Sequence, residues 1–303
     1  MAAHQRLVSA PSAPSPAPRA DRPLLGIALM LVFATMAAWL DTIAKWYTAT
    51  YPVLEMIWIR YAVQTAALLL VMPWLGVRRV AGTQAPAIQV ARGALLFVSA
   101  SLFLYALSLL PFATAKVLNF TSPLLVAAIS APLLGERVGW RRWALVGLGF
   151  LGVLTVVRPG FGVLEWAMLL PLGTSTTYAF YQIATRRASA IDPALPCLFW
   201  TFAVGCALSS LTLPFVWVTP APLDLAILVA HGLLVGLGHF VLIRALSCAP
   251  ASLVAPFGYL SLLWAVLLGY LVFGESPDIF TLFGGVLIAV AGILLFRLAA
   301  RGV

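Results

Sequence analysis

ALSLLPFATAKVLNFTSPLLVAAISAPLLGE, residues 106–136, and ALSCAPASLVAPFGYLSLLWAVLLGYLVFGE, residues 245–275, are two copies of one segment. They align without a gap at a constant offset of 139 positions, and Ala106, Leu107, Ser108, Pro111, Ser122, Leu124, Gly135 and Glu136 each meet an identical residue. Phe120 meets Tyr259, aromatic against aromatic. Leu and Ala coincide often in any apolar sequence. The shared Ala-Leu-Ser, Pro and Gly-Glu positions carry the match, and an internal repeat on this scale organises the whole chain.

Working outward from the repeat, apolar stretches fall at 24–45, 53–75, 88–110, 112–134, 141–158, 163–185, 196–217, 224–245, 250–273 and 279–297. Crossing a hydrocarbon layer of about 30 Å takes roughly 20 apolar helical residues. A lipid-facing backbone must satisfy its own polar groups, so each stretch reads as a helix. The short alternating strands of a membrane barrel are not seen. Ten spans divide into five and five. An odd number per copy makes the second copy enter the membrane from the opposite side, the inverted arrangement of many secondary transporters. The expected fold is therefore an all-α integral membrane protein with ten transmembrane helices in two inverted five-helix repeats, 24–159 and 163–297. A Pro/Ala/Ser-rich tail at 1–22 (PSAPSPAPRA) reads as disordered, with no apolar stretch early enough for a cleaved signal peptide. Residues 298–303 form a second tail.

Composition excludes a soluble fold. Hydrophobic residues make up 63% and charged residues 9%, against about 25% charged in soluble domains. The net charge of +9 is spread over alternate loops rather than gathered into a nucleic-acid-binding patch. With the N-terminus in the cytoplasm, cytoplasmic segments hold Arg6, Arg19, Arg22, Arg78, Arg79, Arg92, Arg137, Arg141, Arg142, Arg186, Arg187, Arg244, Arg297 and Arg301. The other side holds Lys45 and Arg158 with Glu55, Glu165, Asp224, Glu275 and Asp278. This asymmetry places both termini in the cytoplasm. Cys197, Cys206 and Cys248 lie in or beside spans. They read as packing residues, without metal or disulfide spacing.

Charges inside spans are costly and point to function. Asp41, Arg60 and Lys116 all fall in the outer half of the first repeat, where they can pair and line an anion-attracting vestibule. The bland alternatives are a structural charge pair, snorkelling to the interface, and, for Asp41, an i, i+4 pair with Lys45. Lys116, Asn119, Phe120 and Pro123 share one helical face by their i, i+3, i+4, i+7 spacing. Pro123 frees a backbone carbonyl for a neighbouring helix or a substrate. Pro256 and Tyr259 answer that face in the second copy, with Trp264 beyond them, and the two prolines are candidate hinges. Thr174, Tyr178, Tyr181 and Gln182 form a polar and aromatic face on the sixth span. Ser101, Tyr105 and Ser108 on the third span, and Trp39 and Thr42 on the first, complete the candidate cavity lining. Aromatic residues at such spacing also serve plain packing. His231 and His239 on the eighth span, with Asp41, are candidates for proton coupling; the ordinary role of a buried His is a bond to a neighbouring helix. Gly232 and Gly236 form a GxxxG step favouring close helix contact.

The residues FTSPLLVAAISAPLLGERVGWRRW (120–143), GFLGVLTVVRPG (149–160) and APASLVAPFGYLSLLWAVLLGYLVFGE (249–275), together with Arg60, resemble the drug/metabolite transporter superfamily, specifically its ten-helix EamA-type proteins. The resemblance covers about residues 24–297. It implies the inverted-repeat fold and a secondary transporter of the bacterial inner membrane. The family includes exporters of amino acids, exporters of toxic cations, and uptake proteins for S-adenosylmethionine. Within it the chain looks most like the amino-acid exporter branch, including the aromatic amino acid exporters. One departure is Ala-Thr-Ala-Lys116, a cation where many relatives have an acidic or small residue, which weighs against a cationic cargo.

The expected function is therefore export of amino acids by alternating access, with no cofactor, a small-molecule substrate and the lipid bilayer as partners, no nucleic acid, and a monomer as working unit. Uptake of S-adenosylmethionine or another cationic metabolite is the alternative. An intramembrane enzyme is the reading from another class, and the spans show no HExxH motif or comparable catalytic set for it. No GxxxxGK[ST] phosphate loop is present.

Overall fold

The computed structural model describes residues 22–134, 139–158, 166–248 and 251–300. The tail at 1–22, the Gly-Glu-Arg turn with Glu136 and Arg137, Glu165 and the last three residues thus lie at or beyond the edge of the described residues. Every described element is a helix. In chain order they are α1 (Pro23–Tyr47), α2 (Val53–Leu75), α3 (Val77–Ala81), α4 (Pro86–Leu109), α5 (Phe112–Asn119), α6 (Ser122–Leu134), α7 (Trp140–Val157), α8 (Leu169–Ala188), α9 (Ala194–Val216), α10 (Pro222–Cys248), α11 (Ala251–Val254), α12 (Leu260–Phe273) and α13 (Ile279–Ala300). Short 3-10 turns at Trp166–Met168 and Ala255–Tyr259 lead into α8 and α12.

Among the described residues, nine segments are long and apolar enough to cross a membrane. The tenth span is α8, which is 20 residues long but rich in hydroxyl groups. Its side chains return their hydrogen bonds to their own helix: Thr174 to the Leu170 carbonyl, Ser175 to Pro171, Thr176 to Leu172, Thr177 to Gly173 and Thr185 to Tyr181. Back-bonding of this kind lets a polar helix sit among apolar ones without stranded donors.

The fourth and ninth spans are broken. Pro123 has no N–H and would collide with the carbonyl four residues back, so the helix stops at Asn119 and restarts at Ser122. The freed Asn119 carbonyl accepts a bond from Ser175 Oγ of α8 at 2.9 Å. Pro256 stands in the corresponding break of the second repeat, between α11 and α12.

Helix packing obeys a two-fold exchange of the repeats. Counterparts pack on each other: α2 on α9, α5 on α12, and α7 on α13. Other contacts come in exchanged pairs, α4–α8 with α10–α1, and α2–α10 with α9–α4. The rings of Phe120 and Tyr259, matched across the repeat, lie 4.9 Å apart, which puts them beside the axis.

The same offset of 139 continues backward through α4 and α10. AIQVARGAL (87–95) answers AILVAHGLL (226–234), so Arg92 is the counterpart of His231. The glycine after each marks a mirrored close crossing. A Cβ on Gly93 would meet Val204 Cβ of α9 at 2.5 Å, and one on Gly232 would lie 3.2 Å from Arg60 Cα of α2.

Candidate functional site

Between the repeats lie two adjoining chambers, of about 200 Å³ and about 340 Å³. Phe33, Ala37, Arg60, Ala100, Phe103, Val235 and His239 line both. The smaller chamber adds Leu40, Asp41, Met56 and His231. The larger adds Tyr61, Gln64, Lys116, Asn119, Phe120, Pro123 and Tyr178. Arg60 lies seven residues into α2, roughly 10 Å below the face opposite the chain ends at 1.5 Å per residue. The smaller chamber extends toward that face.

The charges divide unequally. Lys116 Nζ lies 2.6 Å from Asp41 Oδ2 and 5.8 Å from the centre of the Phe103 ring. Lys45, expected beside Asp41 on its own helix, instead pairs with Glu275 at 3.0 Å and donates to the Leu107 and Leu110 carbonyls. Arg60 has no carboxylate partner among the described residues. Its guanidinium carbon lies 4.7 Å from the centre of the Tyr61 ring. Arg60 Nε and the Tyr61 hydroxyl are both buried without a hydrogen-bond partner. The chambers thus hold one neutralised ion pair and one unneutralised cation, ringed by aromatic side chains.

His231 Nε2 lies 3.2 Å from the Leu40 carbonyl, and His239 Nδ1 lies 2.9 Å from the Val235 carbonyl. Each imidazole therefore keeps one nitrogen on backbone while its ring borders the cavity.

Of the residues singled out in the sequence, Asp41, Arg60, Lys116, Asn119, Phe120, Pro123, Thr174, Tyr178, His231 and His239 converge on the chambers. The others do not. Trp39 is 48% exposed and packs against Trp264 at 6.4 Å, whose indole N–H donates to Thr35. Thr42 donates to the Ala38 carbonyl of its own helix. Tyr105 is exposed on the outside of the bundle. Tyr181 stacks on Tyr178 at 5.7 Å but turns toward Arg92, and Gln182 lines neither chamber. Tyr259 backs Phe120 from behind. With Pro256 it lines a separate apolar pocket of about 430 Å³ beside α12 and α13.

Polar clusters tie the repeats together on either side of the chambers. On the face opposite the chain ends, Tyr47 and Tyr51 donate to Asp224 at 3.0 and 2.6 Å, the Ala221 N–H donates to the Tyr51 hydroxyl, and the Val218 N–H donates to Glu55. The hydrogen bond to Asp224 raises the Tyr51 phenol above its ordinary value, with burial and the nearby acids adding to it and the Ala221 N–H opposing. On the chain-end face, Arg92 is 3% exposed. It donates to Thr185 at 2.9 Å, Gln89 at 2.5 Å and the Cys197 carbonyl at 3.3 Å. Its guanidinium carbon lies 5.3 Å from the Tyr181 ring centre. Next to it Asp192 accepts from Thr83, the Gln84 N–H and Gln89. The Gln84 N–H, then Thr83, hold the Asp192 carboxyl below the usual range against the opposing effect of burial; Gln89 and Arg92 reinforce them.

The two clusters are counterparts. One joins the α1–α2 hairpin to α9–α10, the other α8–α9 to α3–α4. Tyr51 precedes Pro52 as Asp192 precedes Pro193. Charge counting alone placed Arg92 among the cytoplasmic loop residues. It is instead six residues into α4 and buried. The signal that finds it is the extended repeat, which sets it opposite His231.

The EamA-like transporter family model matches residues 24–158 and again 165–298. An S-adenosylmethionine uptake transporter of Rickettsia conorii is 28% identical over 265 residues, 88% of this chain and 90% of that protein. The pseudopaline exporter CntI of Pseudomonas aeruginosa is 31% identical over 280 residues, 90% and 95% of the two chains. A riboflavin transporter of Vibrio cholerae is 28% identical over 84% of this chain and 87% of its own length. A solved structure of 22% identity superposes with a TM-score of 0.62, covering 93% of this chain and 98% of that one, in keeping with a common fold. These relatives are not amino-acid exporters, and they work in different directions. Family kinship therefore settles the class of protein without settling its cargo. Because the family is found separately in each half, and relatives align along most of the length, this chain belongs to the EamA-like transporter family and is a multi-pass membrane transporter of small metabolites.

Proposed function

We propose that the protein is a secondary carrier exporting amino acids, or metabolites that keep an amino acid's carboxylate, across the bacterial inner membrane by alternating access. Arg60 carries this reading. An unneutralised guanidinium roughly 10 Å deep in a membrane is expensive unless it serves a ligand. Its unpartnered Nε and the adjacent Tyr61 hydroxyl supply donors for a carboxylate. Phe33, Phe103, Phe120 and Tyr178 suit an apolar or aromatic body by stacking. Arginine-rich segments such as Arg78, Arg79, Arg186 and Arg187 fall on the chain-end face, which supports a cytoplasmic location for both ends.

A second reading, uptake of S-adenosylmethionine, draws on the Rickettsia relatives and on Asp41 in the smaller chamber. That molecule also carries an amino-acid head group and a flat ring.

The test is flux into and out of proteoliposomes with a labelled panel of amino acids and S-adenosylmethionine, with and without a pH gradient. Arg60→Met should weaken carboxylate substrates by about 10–100-fold, the loss of a hydrogen-bonded charge contact, while Arg60→Lys should retain part of the activity. Absence of flux for every amino acid, with S-adenosylmethionine transported, would replace the first reading by the second. An unchanged substrate profile in folded Arg60→Met would remove Arg60 from the site.

A further inference from the structure

We propose that the Asp41–Lys116 ion pair is an internal stand-in for the charges of the substrate, and that the cavity therefore selects zwitterions over singly charged ligands. This rests on Arg60 being the carboxylate seat. Lys116 Nζ and Asp41 Oδ2 are 2.6 Å apart, and the pair crosses between the chambers: Asp41 borders the smaller, Lys116 the larger. Among the described residues that line the chambers, Asp41 is the one carboxylate. The side chain of Lys116 is 6% exposed and that of Asp41 26%. The ammonium is thus enclosed, while one edge of the carboxylate stays open to the cavity. Asp41 Oδ1 has no hydrogen-bond partner among the described residues.

Matched charge contacts in a poorly solvated space make the selection. A lone ammonium meets two cations, Arg60 and Lys116, against one acid. A lone carboxylate reaches Arg60 but leaves the open edge of Asp41 unused. A zwitterion engages both. Its carboxylate takes Arg60, and its ammonium takes Asp41 and displaces Lys116. The freed Lys116 ammonium then pairs with the second carboxylate oxygen. The filled cavity carries the same single excess positive charge as the empty one (Arg60 and Lys116 against Asp41), so binding buries no additional net charge. A lone ammonium adds a further uncompensated cation, whereas a lone carboxylate cancels the excess charge but forgoes the ammonium–Asp41 and Lys116–carboxylate contacts that the zwitterion gains. Amino acids and S-adenosylmethionine share the required head group, so the selection acts on that chemistry.

Three probes with one skeleton isolate it: L-phenylalanine, 3-phenylpropionate and phenethylamine, titrated against the full chain by ligand-induced thermal shift. Phenylalanine should bind at least about tenfold tighter than either singly charged analogue, the worth of one buried charge contact. In the double variant Asp41→Asn/Lys116→Met, the gap to 3-phenylpropionate should close to about threefold through weaker phenylalanine binding, since the remaining Arg60 contact sees only the carboxylate. Binding of 3-phenylpropionate should stay unchanged. Equal binding of phenylalanine and 3-phenylpropionate by the natural protein overturns the proposal, and so does a double variant that keeps the full gap between those two. Where the double variant does not fold, the charge-swapped Asp41→Lys/Lys116→Asp protein must keep the preference for phenylalanine; equal binding of all three overturns it. If Arg60→Met leaves carboxylate binding untouched, the Arg60 seat fails while the zwitterion gap remains readable. Binding of none of the three at millimolar concentration overturns both.

Discussion

Replacing Arg92 by Met should tilt the carrier toward the form open at the chain-end face. The side chain is buried among α4, α8 and α9, and its donors reach Thr185, Gln89 and the Cys197 carbonyl at 2.9, 2.5 and 3.3 Å. Met fills similar volume but donates nothing. Gln89 lies on α4 itself, so two of these bonds, to Thr185 and to the Cys197 carbonyl, cross between the repeats. Polar contacts between membrane helices average about 0.6 kcal/mol each and charged ones in proteins reach about 1.5 kcal/mol or more, so the two predict about 1–3 kcal/mol. In an alternating-access carrier a contact joining the repeats at one face must part when that face opens. At 1.4 kcal/mol per factor of ten, its loss moves the equilibrium by about tenfold. The assay is sided labelling by a membrane-impermeant thiol reagent. The reporter is Ala100→Cys, which borders both chambers, in a chain whose three native cysteines are replaced. Labelling from the chain-end side should rise in Arg92→Met, and Arg92→Lys, which keeps the charge without the planar fork, should fall between. Unchanged sidedness in a variant as thermally stable as its parent would refute the argument. Increased labelling from the opposite face would reverse it.

Asp192 lies outside the spans, and its carboxyl is held below the ordinary range by the Gln84 N–H, Thr83 and their neighbours. Its contribution to stability is therefore complete above the unfolded carboxyl value and lost as pH falls through the lower folded value. Asp192→Asn should flatten the acid limb of a thermal-stability profile, and a profile identical to the natural one would show that the hydrogen bonds are idle. A Cβ on Gly292 would fall 1.7 Å from the Tyr259 hydroxyl, so Gly292→Ala should cost about 1–3 kcal/mol by overpacking. The cost should shrink in a Tyr259→Phe background; equal cost in both backgrounds would place the clash elsewhere. Ser175→Ala removes the donor to the Asn119 carbonyl released by Pro123 and should cost about 0.6–1.7 kcal/mol, measured as a lower thermal midpoint with cavity binding intact. Asp278 accepts the Thr281 N–H at 2.6 Å as α13 begins, so Asp278→Ala should cost about 1 kcal/mol as a lost N-cap, again read from thermal unfolding.

Much of this was legible in the sequence because membrane helices obey few rules. Span length, the odd number of spans per repeat and the 139-residue offset led to the architecture without coordinates. The shared face of Lys116, Asn119 and Phe120 was legible too, since helical spacing is rigid. Helical spacing says what shares a face, not which face looks inward. Tyr105 satisfies the same spacing rule as Tyr178, yet it looks outward, because its helix turns its other side to α8 and α9. Tyr181 sits three residues from Tyr178 and reaches a different neighbour. Pairing between distant helices was likewise beyond local pattern: Lys45 is one turn from Asp41 but bonds Glu275, 230 positions away in the chain. The least legible residue was Arg92. A basic residue near a span end satisfies the positive-inside pattern whether it faces water or is buried, and the pattern carries no information about which.

The contact between Phe120 and Tyr259 has a consequence for the carrier's motion. Inversion of a two-fold pseudo-symmetric protein passes each repeat through the conformation of the other, so residues beside the axis trade places with their own counterparts. Their mutual contact survives the stroke, while contacts between the repeats that join residues with unequal counterparts are remade. The pair then acts as a fulcrum. Changes to it alter how stiff the lever is in both strokes alike, whereas unequal partners away from it, such as Arg92 and His231, set which way the lever rests.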